Sequence, residues 1–271
     1  VRADPRSLKA TYLKHTDYHR FPGGLKKLEF IVETLCGLDR DPAGVSVLDV
    51  GCGNGGIALP VASLGYRVLG VDVDAASIEH ARRVNEFPNA RFELVDGSRF
   101  DLGERFDVVI CSEVLEHLHE PMPLIRTLAR LMKDDALAII TVPNGQGPRE
   151  VLGRVENLLK NTLGLKRAIV KLRRLMGMPD PDEKCLMHTS NVEQPGTGHV
   201  QFFSLPGIRR RLERGGLDVV NVVKSLFLFS VFLKSTGDEP TAVNRFDNRL
   251  TELLPASMAS GWFLLCRKTG S

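Results

Sequence analysis

The chain has 271 residues, 43% of them hydrophobic and 25% charged, with a formal net charge of +3. That is ordinary for a soluble globular domain with ample chain for a core and excludes a low-complexity or repeat protein, while the net charge says little because it is unevenly distributed. The five cysteines are an odd number, widely spaced, with no C-x-x-C, which argues for reduced thiols in a cytoplasmic setting and against a disulfide framework or a structural zinc. A polar, charged start gives no sign of a signal peptide, and the longest apolar run, Leu226 to Leu233, is too short to span a bilayer.

Residues 1–44 read as a helical lead-in. Leu25, Leu28, Ile31, Val32 and Leu35 have helical spacing behind a turn at Pro22-Gly23-Gly24. Residues 45–143 then alternate: strand 46–50, helix 55–64, strand 67–72, helix 75–84, strand 91–95, strand 106–111, helix 114–119, helix 121–132 and strand 136–142. This βαβ alternation predicts an α/β fold built on a doubly wound, mostly parallel sheet, with ligands at the carboxyl ends of the strands. Residues 144–198 read as an insertion. Its first half, Arg149 to Met176, is a basic amphipathic helical stretch, and its second, Pro179 to Gly198, has loop composition. The position predicts a lid over the strand ends. The basic segment suits a solvated face, anionic lipid headgroups or a phosphate-bearing acceptor; it has no aromatic residues, so base stacking on nucleic acid is unsupported. Residues 199–271 complete the sheet, with strands expected near Asp218 to Leu233 and Trp262 to Arg267.

The richest stretch is Val47-Leu48-Asp49-Val50-Gly51-Cys52-Gly53-Asn54-Gly55. It reads as a buried strand running into a glycine turn and then a helix, a shape that binds nucleotides. The turn matches G-x-G but not G-x-G-x-x-G, and no G-x-x-x-x-G-K-[ST] loop is present, so neither a dinucleotide nor a triphosphate is favoured. Asp49, two residues before the first glycine, suits a cation such as an amino-acid ammonium or a sulfonium. Asp72, at the end of the next strand, is placed to accept from two ribose hydroxyls.

These residues resemble the first motif of the class I S-adenosylmethionine-dependent methyltransferases. The resemblance continues through Gly70-Val71-Asp72-Val73-Asp74, Leu94-Val95-Asp96-Gly97 and Phe106 to Ser112, and covers about residues 45–143. It implies a Rossmann-like sheet of seven strands whose last two form an antiparallel pair. It also implies S-adenosyl-L-methionine held by Asp49, Gly51 and Gly53, by Asp72 with Val73, by Asp96 with Gly97, and by Cys111 and Ser112. Lys27 sits where the similar ubiquinone-biosynthesis O-methyltransferases carry an arginine for the cofactor carboxylate. Arg20 competes for that role, and either could be a plain solvated charge.

Glu113-Val114-Leu115-Glu116-His117 follows the fourth strand. On a helix Glu113, Glu116 and His117 would share one face. His199 stands where the insertion rejoins the core. The set resembles the E-x-x-E-H plus distal histidine of small-RNA 2′-O-methyltransferases and the E-x-x-E-H and G-T-H segments of ubiquinone-biosynthesis O-methyltransferases. Glu113, Glu116, His117 and His199 are therefore the expected ligands of a divalent metal (Mg²⁺, Mn²⁺ or Zn²⁺), with His199, then His117, as general base if no metal binds. The reading is methylation of a hydroxyl on a small-molecule or lipid-linked acceptor, peripheral membrane contact included. Its rivals are N-methylation, metal-dependent RNA 2′-O-methylation, and a non-catalytic cofactor-binding subunit.

Overall fold

The computed structural model describes residues 4–18, 22–147, 199–225 and 242–270. A seven-stranded sheet organises them: β1 (Ser46–Val50), β2 (Arg67–Asp72), β3 (Ala90–Leu94), β4 (Phe106–Ser112), β5 (Met132–Pro143), β6 (Leu217–Lys224) and β7 (Gly261–Lys268), in the spatial order β3-β2-β1-β4-β5-β7-β6. The pairings among β1 to β5 are parallel, while β7 lies antiparallel between β5 and β6. The expected doubly wound, mostly parallel sheet is the observed one. Order reverses beside β1, whose neighbours are β2 and β4, so the crevice for a ligand opens at the carboxyl ends of β1 and β4.

β1 is buried along its whole length, and its side chains alternate between the two halves of the core. Leu48 and Val50 join Val109, Ile140 and the helices α5 (Met122–Leu131) and α6 (Leu205–Arg214). Val47 faces the other way, toward Val68, Val108, Ile139 and the helices α2 (Pro22–Cys36), α3 (Ala58–Ser63) and α4 (Ala75–Val84). Burial on both faces is why β1, β4 and β5 read as apolar runs rather than as alternating strands. Gly70 in β2 has a steric reason. A Cβ there would lie 2.7 Å from Phe92 Cδ1 and 2.9 Å from Cys52 Sγ, so a side chain would displace the turn after β1.

Helix ends follow local chemistry. The Asp74 carboxylate caps α4, accepting from the Ser77 N–H (3.2 Å) and hydroxyl (2.6 Å). Ser204 caps α6 through the Gly207 N–H, and Gly216, at φ +93°, follows its end. Pro22-Gly23-Gly24, expected as a turn, forms the first turn of α2 instead, where a proline's missing N–H costs nothing. Two more helices are described: the single turn α1 (Lys9–Tyr12) before α2, and the 12-residue α7 (Ala242–Leu253) before β7.

One expectation is corrected. The helix expected over 114–119 is a single 3₁₀ turn, Leu115–His117, entered from a left-handed Glu113 at φ +56°. The strand expected over Asp218 to Leu233 is described as Leu217–Lys224, and 226–233 lie outside the described residues. The lid reading of 144–198 and its basic stretch 149–176 lie outside the described residues, apart from 144–147, as does Arg20. Among the described residues no helix is long and apolar enough to cross a membrane.

At the amino end of β4, remote from the crevice, Asp107 is 7% exposed and gathers four donors. Ser46 supplies its N–H (2.9 Å) and hydroxyl (2.7 Å), Arg40 a guanidinium nitrogen (2.7 Å) and Lys133 its ammonium (2.7 Å). Burial would raise its carboxyl, but the bonds from Lys133, Ser46 and Arg40 outweigh it and hold the group well below the usual carboxylate range. A depressed folded value stabilises the fold above the unfolded value, about 3.9, and that stability is lost as pH falls. Asp107→Asn is expected to cost on the order of 2 kcal/mol, discounted because Arg40 and Lys133 are half-exposed. Thermal melts at about pH 2.5 and pH 7 check this: the native chain should lose stability as pH falls below about 3.9, and the variant should lose less.

Candidate active site

The turn after β1 builds the floor of the crevice. Gly51 (φ +74°) and Gly53 (φ +51°) are left-handed, which a side chain would strain. A Cβ on Gly51 would also lie 2.4 Å from Val114 Cγ2, so the turn passes directly under the chain that leaves β4. The N–H groups of Gly51 and Cys52 donate to the Val71 carbonyl, at 2.8 and 3.1 Å. Gly53 donates instead to Asp72 Oδ2 at 2.8 Å, while Asp74 N–H donates to Oδ1 at 3.0 Å. One bond to each oxygen fixes the Asp72 carboxylate and leaves further lone pairs for a ligand. The Asp74 bond is the Asx turn of a strand-ending aspartate, and the Gly53 bond ties that carboxylate to the glycine turn.

Asp49 sits between Gly70 and Ile110 in the sheet register and is 1% exposed. Among the described residues neither carboxylate oxygen accepts a hydrogen bond of good geometry, and the Ala58 N–H is the donor that comes nearest to one. Desolvation, followed by the charge of Asp72, pushes its pKa up to about 7; the Ala58 N–H and Lys27 pull the other way. A buried carboxylate without partners is costly, and it persists where a cation or a donor completes it.

The rim lies at the ends of β2 and β3. Val73 is 63% exposed and Leu94 53%, two apolar side chains left open beside Asp72. Asp96 is exposed, and Gly97 follows it at φ +70°. Cys111 differs from expectation. Its side chain is fully buried within the core, where desolvation, then Glu116, pushes the thiol well above its ordinary range. Its thiol therefore presents no exposed surface to a ligand. Ser112, next in the chain, shares a 2.9 Å hydrogen bond with the Thr141 hydroxyl.

The E-x-x-E-H run divides into two clusters. Glu113 turns away from Glu116 and His117, because the left-handed backbone at 113 breaks the helical spacing that would have aligned them. A glutamate in that conformation costs about 1–3 kcal/mol, which the surroundings must offset. Its N–H donates to the Thr141 carbonyl (3.0 Å), and its carboxylate accepts from the Thr141 hydroxyl (2.8 Å) and faces the Lys27 ammonium at 3.5 Å. Lys27 is 8% exposed, so it is not a solvated charge. Its ammonium stands 6.0 Å from the centre of the Tyr18 ring. Burial, then Asp49 and Glu113, push the Tyr18 phenol above its ordinary range.

The second cluster is Glu116, His117 and His199, one ligand atom from each lying within 4.8 Å of the others. Glu116 is fully buried, and its Oε1 is 3.9 Å from His117 Nε2. The two imidazoles meet edge to face at 5.2 Å, and Phe202 meets His199 at 6.5 Å. The returning chain makes this meeting. Val200 and Gln201 both donate backbone N–H groups to the Glu116 carbonyl, at 2.9 and 3.0 Å, and the Gln201 side chain donates to the carbonyls of Leu118 and His119. Asn144, 1% exposed, anchors the next step: Gly145 N–H donates to the Phe203 carbonyl, and the Asn144 amide donates to Ser257 and Ala259.

Sequence reasoning thus brought together Asp49, Gly51, Gly53 and Asp72, and placed His199 beside Glu116 and His117. It missed Tyr18, Thr141 and Gln201. Gln201 carried the nearest thing to a signal, an amide two residues past His199.

A methyltransferase-domain family model matches residues 18–222, about three quarters of the chain. The chain belongs to the methyltransferase domain family. The match takes in the glycine turn, all the carboxylates described above, and both histidines. Among curated proteins, the ubiquinone biosynthesis O-methyltransferase of Rickettsia canadensis is 32% identical over 129 residues, 47% of this chain and 55% of the relative. That of Cereibacter sphaeroides is 33% identical over 128 residues, 44% and 52%. The chain spans about half the length of the curated relatives it matches. Two solved structures share the fold. Magnesium protoporphyrin IX methyltransferase from Synechocystis PCC 6803, with bound SAH, has a TM-score of 0.56 at 19% identity, covering 91% of this chain and 84% of that one. An S-adenosylmethionine-dependent methyltransferase from Clostridium acetobutylicum has a TM-score of 0.54 at 12% identity, covering 95% and 94%.

Proposed function

We propose that this chain is an S-adenosylmethionine-dependent methyltransferase that methylates a hydroxyl oxygen of a small-molecule or lipid-linked acceptor. The observation that carries the cofactor is Asp49: a buried carboxylate whose oxygens accept no hydrogen bond of good geometry among the described residues, in β1 just before the glycine turn. It fits the ammonium of the cofactor's amino-acid end. Asp72, oriented by Gly53 and Asp74, would accept from the ribose hydroxyls, and Val73 and Leu94 offer apolar surface to the adenine beside Asp96. S-adenosylmethionine, when bound, supplies an electrophilic methyl on a sulfonium. The chain's part is to align the acceptor oxygen and hold its proton. His199 would take that proton on a ring nitrogen, with His117 as the second choice. Glu116, buried beside them, favours the imidazolium that results.

Two imidazoles and a carboxylate suit a hydroxyl acceptor, which must give up its proton as the oxygen attacks, whereas a neutral amine attacks through its lone pair. Methyl transfer from labelled S-adenosylmethionine to a panel of phenols, lipid-linked phenols and amines tests this. Turnover confined to amines would refute oxygen methylation. Asp72→Ala is expected to weaken cofactor binding by about 1.5–3 kcal/mol, the value of hydrogen bonds to a charged group. Calorimetry that finds the variant unchanged would remove Asp72 from the ribose site.

The same cluster favours a second reading. Glu116, His117 and His199 each offer one ligand atom within 4.8 Å of the others, a mixed nitrogen and oxygen set that suits a divalent ion such as Zn²⁺ or Mn²⁺. A metal there would lower the pKa of the acceptor hydroxyl. Glu113, facing Lys27, is outside the set. Activity that disappears with a chelator and returns with the ion would favour this reading; activity indifferent to chelation would favour the base.

A further inference from the structure

Lys27 and Asp49 present a physical puzzle. Both are buried, and the Tyr18 ring links their surroundings: the Lys27 ammonium stands 6.0 Å from its centre, and a Cβ on Gly56, in the turn that follows Asp49, would meet its edge at 3.0 Å. Opposite buried charges gathered around one turn gain by closing into an ion pair. Yet the Asp49 oxygens accept no hydrogen bond of good geometry among the described residues. The Lys27 ammonium faces Glu113 instead, at 3.5 Å. Glu113 in turn is held by Thr141 through both its N–H and its carboxylate, in a backbone conformation that, among the described non-glycine residues, only Asp39 shares.

We propose that Glu113, locked by Thr141, is a positioning residue that keeps Lys27 apart from Asp49, so that the two present separated opposite charges to the zwitterionic amino-acid end of the cofactor. The inference rests on the S-adenosylmethionine reading above. Asp49 then receives the ammonium, and Lys27 the carboxylate. A lysine carries three donors, so contact with Glu113 leaves others for the ligand. The Tyr18 ring walls the ammonium on another side. The strain at Glu113 has a role in this arrangement. Were Lys27 released from Glu113 to pair with Asp49, both charges would be masked at once.

The test compares three ligands by calorimetry: S-adenosylmethionine, its decarboxylated form, and 5′-methylthioadenosine, which lacks the amino-acid end. The native chain should prefer S-adenosylmethionine to the decarboxylated form by about tenfold or more, the scale of one charge-assisted contact. Glu113→Gln and Lys27→Gln should each bring that ratio to about threefold or less, with 5′-methylthioadenosine binding unchanged. Thr141→Val should lower the ratio less, because it loosens Glu113 without removing its charge. A merely structural role for Glu113 would weaken all three ligands together. If Glu113→Gln keeps the native ratio while Lys27→Gln loses it, or if both keep it, the proposal is overturned. Should Glu113→Gln fail to bind 5′-methylthioadenosine, Thr141→Val decides, and a native ratio there also overturns it. A native chain that binds none of the three ligands removes the cofactor reading itself, an outcome distinct from every variant result.

Discussion

His199→Ala is expected to lower methyl-transfer turnover about a hundredfold at saturating cofactor, with cofactor affinity nearly intact, as fits loss of a general base. The separation follows from the two clusters. His199 stands with Glu116 and His117, whereas the carboxylates assigned to the cofactor lie at the ends of β1 and β2. With the native chain, turnover should rise with pH as the imidazole loses its proton; the variant's turnover should be low and flat. Single-turnover rates across pH measure both. An active His199→Ala chain that is also indifferent to chelators would leave His199 a packing residue between His117 and Phe202, and positioning alone would have to explain the chemistry.

Asp49→Asn should produce the second large effect, this time in binding. The Asp49 carboxyl is raised to about 7, first by desolvation and then by Asp72. Lys27, Tyr18 and Cys52 surround the same turn. A cationic ligand needs the ionised form, so affinity for S-adenosylmethionine should rise with pH up to about 7 and then level off. The asparagine variant should show a flat profile and, at pH 8, an affinity lower by about 1.5–3 kcal/mol. Stability of the ligand-free chain should move the opposite way. A raised folded value means that the folded state keeps a proton the unfolded chain has released, so stability falls as pH rises from about 4 to about 7. Asparagine removes that fall. The variant should therefore melt higher than the native chain at pH 8 while binding worse, the usual exchange of stability for function at a site. Equal binding profiles for the two proteins would exclude Asp49 from the ligand.

How much could be read in advance depended on the kind of constraint. β1, its glycine turn and Asp72 were legible because buried parallel strands leave continuous apolar runs and a left-handed turn leaves glycines. Those signals are local in sequence. Glu113 was misplaced because the residues after β4 have ordinary helical composition, and nothing local marks a glutamate held left-handed by Thr141, 28 positions away. Lys27 was open to reading as a solvated charge for a similar reason. A lysine on a helix looks the same in sequence whether its ammonium meets water or a buried glutamate. The meeting of His199 with Glu116 and His117 was legible only by resemblance. The structure gives its cause in the two backbone bonds from Val200 and Gln201 to the Glu116 carbonyl.

The central claim is that the turn after β1, with Asp49 and Asp72, is built for the amino-acid and ribose ends of S-adenosylmethionine. Calorimetric titration of the native chain with S-adenosylhomocysteine, with NAD as the comparison ligand, tests it most directly. The account predicts one-to-one binding of S-adenosylhomocysteine in the micromolar range, tightening between pH 6 and pH 8 as Asp49 ionises, and no heat from NAD. Binding of NAD in preference, or no binding of S-adenosylhomocysteine at any pH in that range, would contradict it.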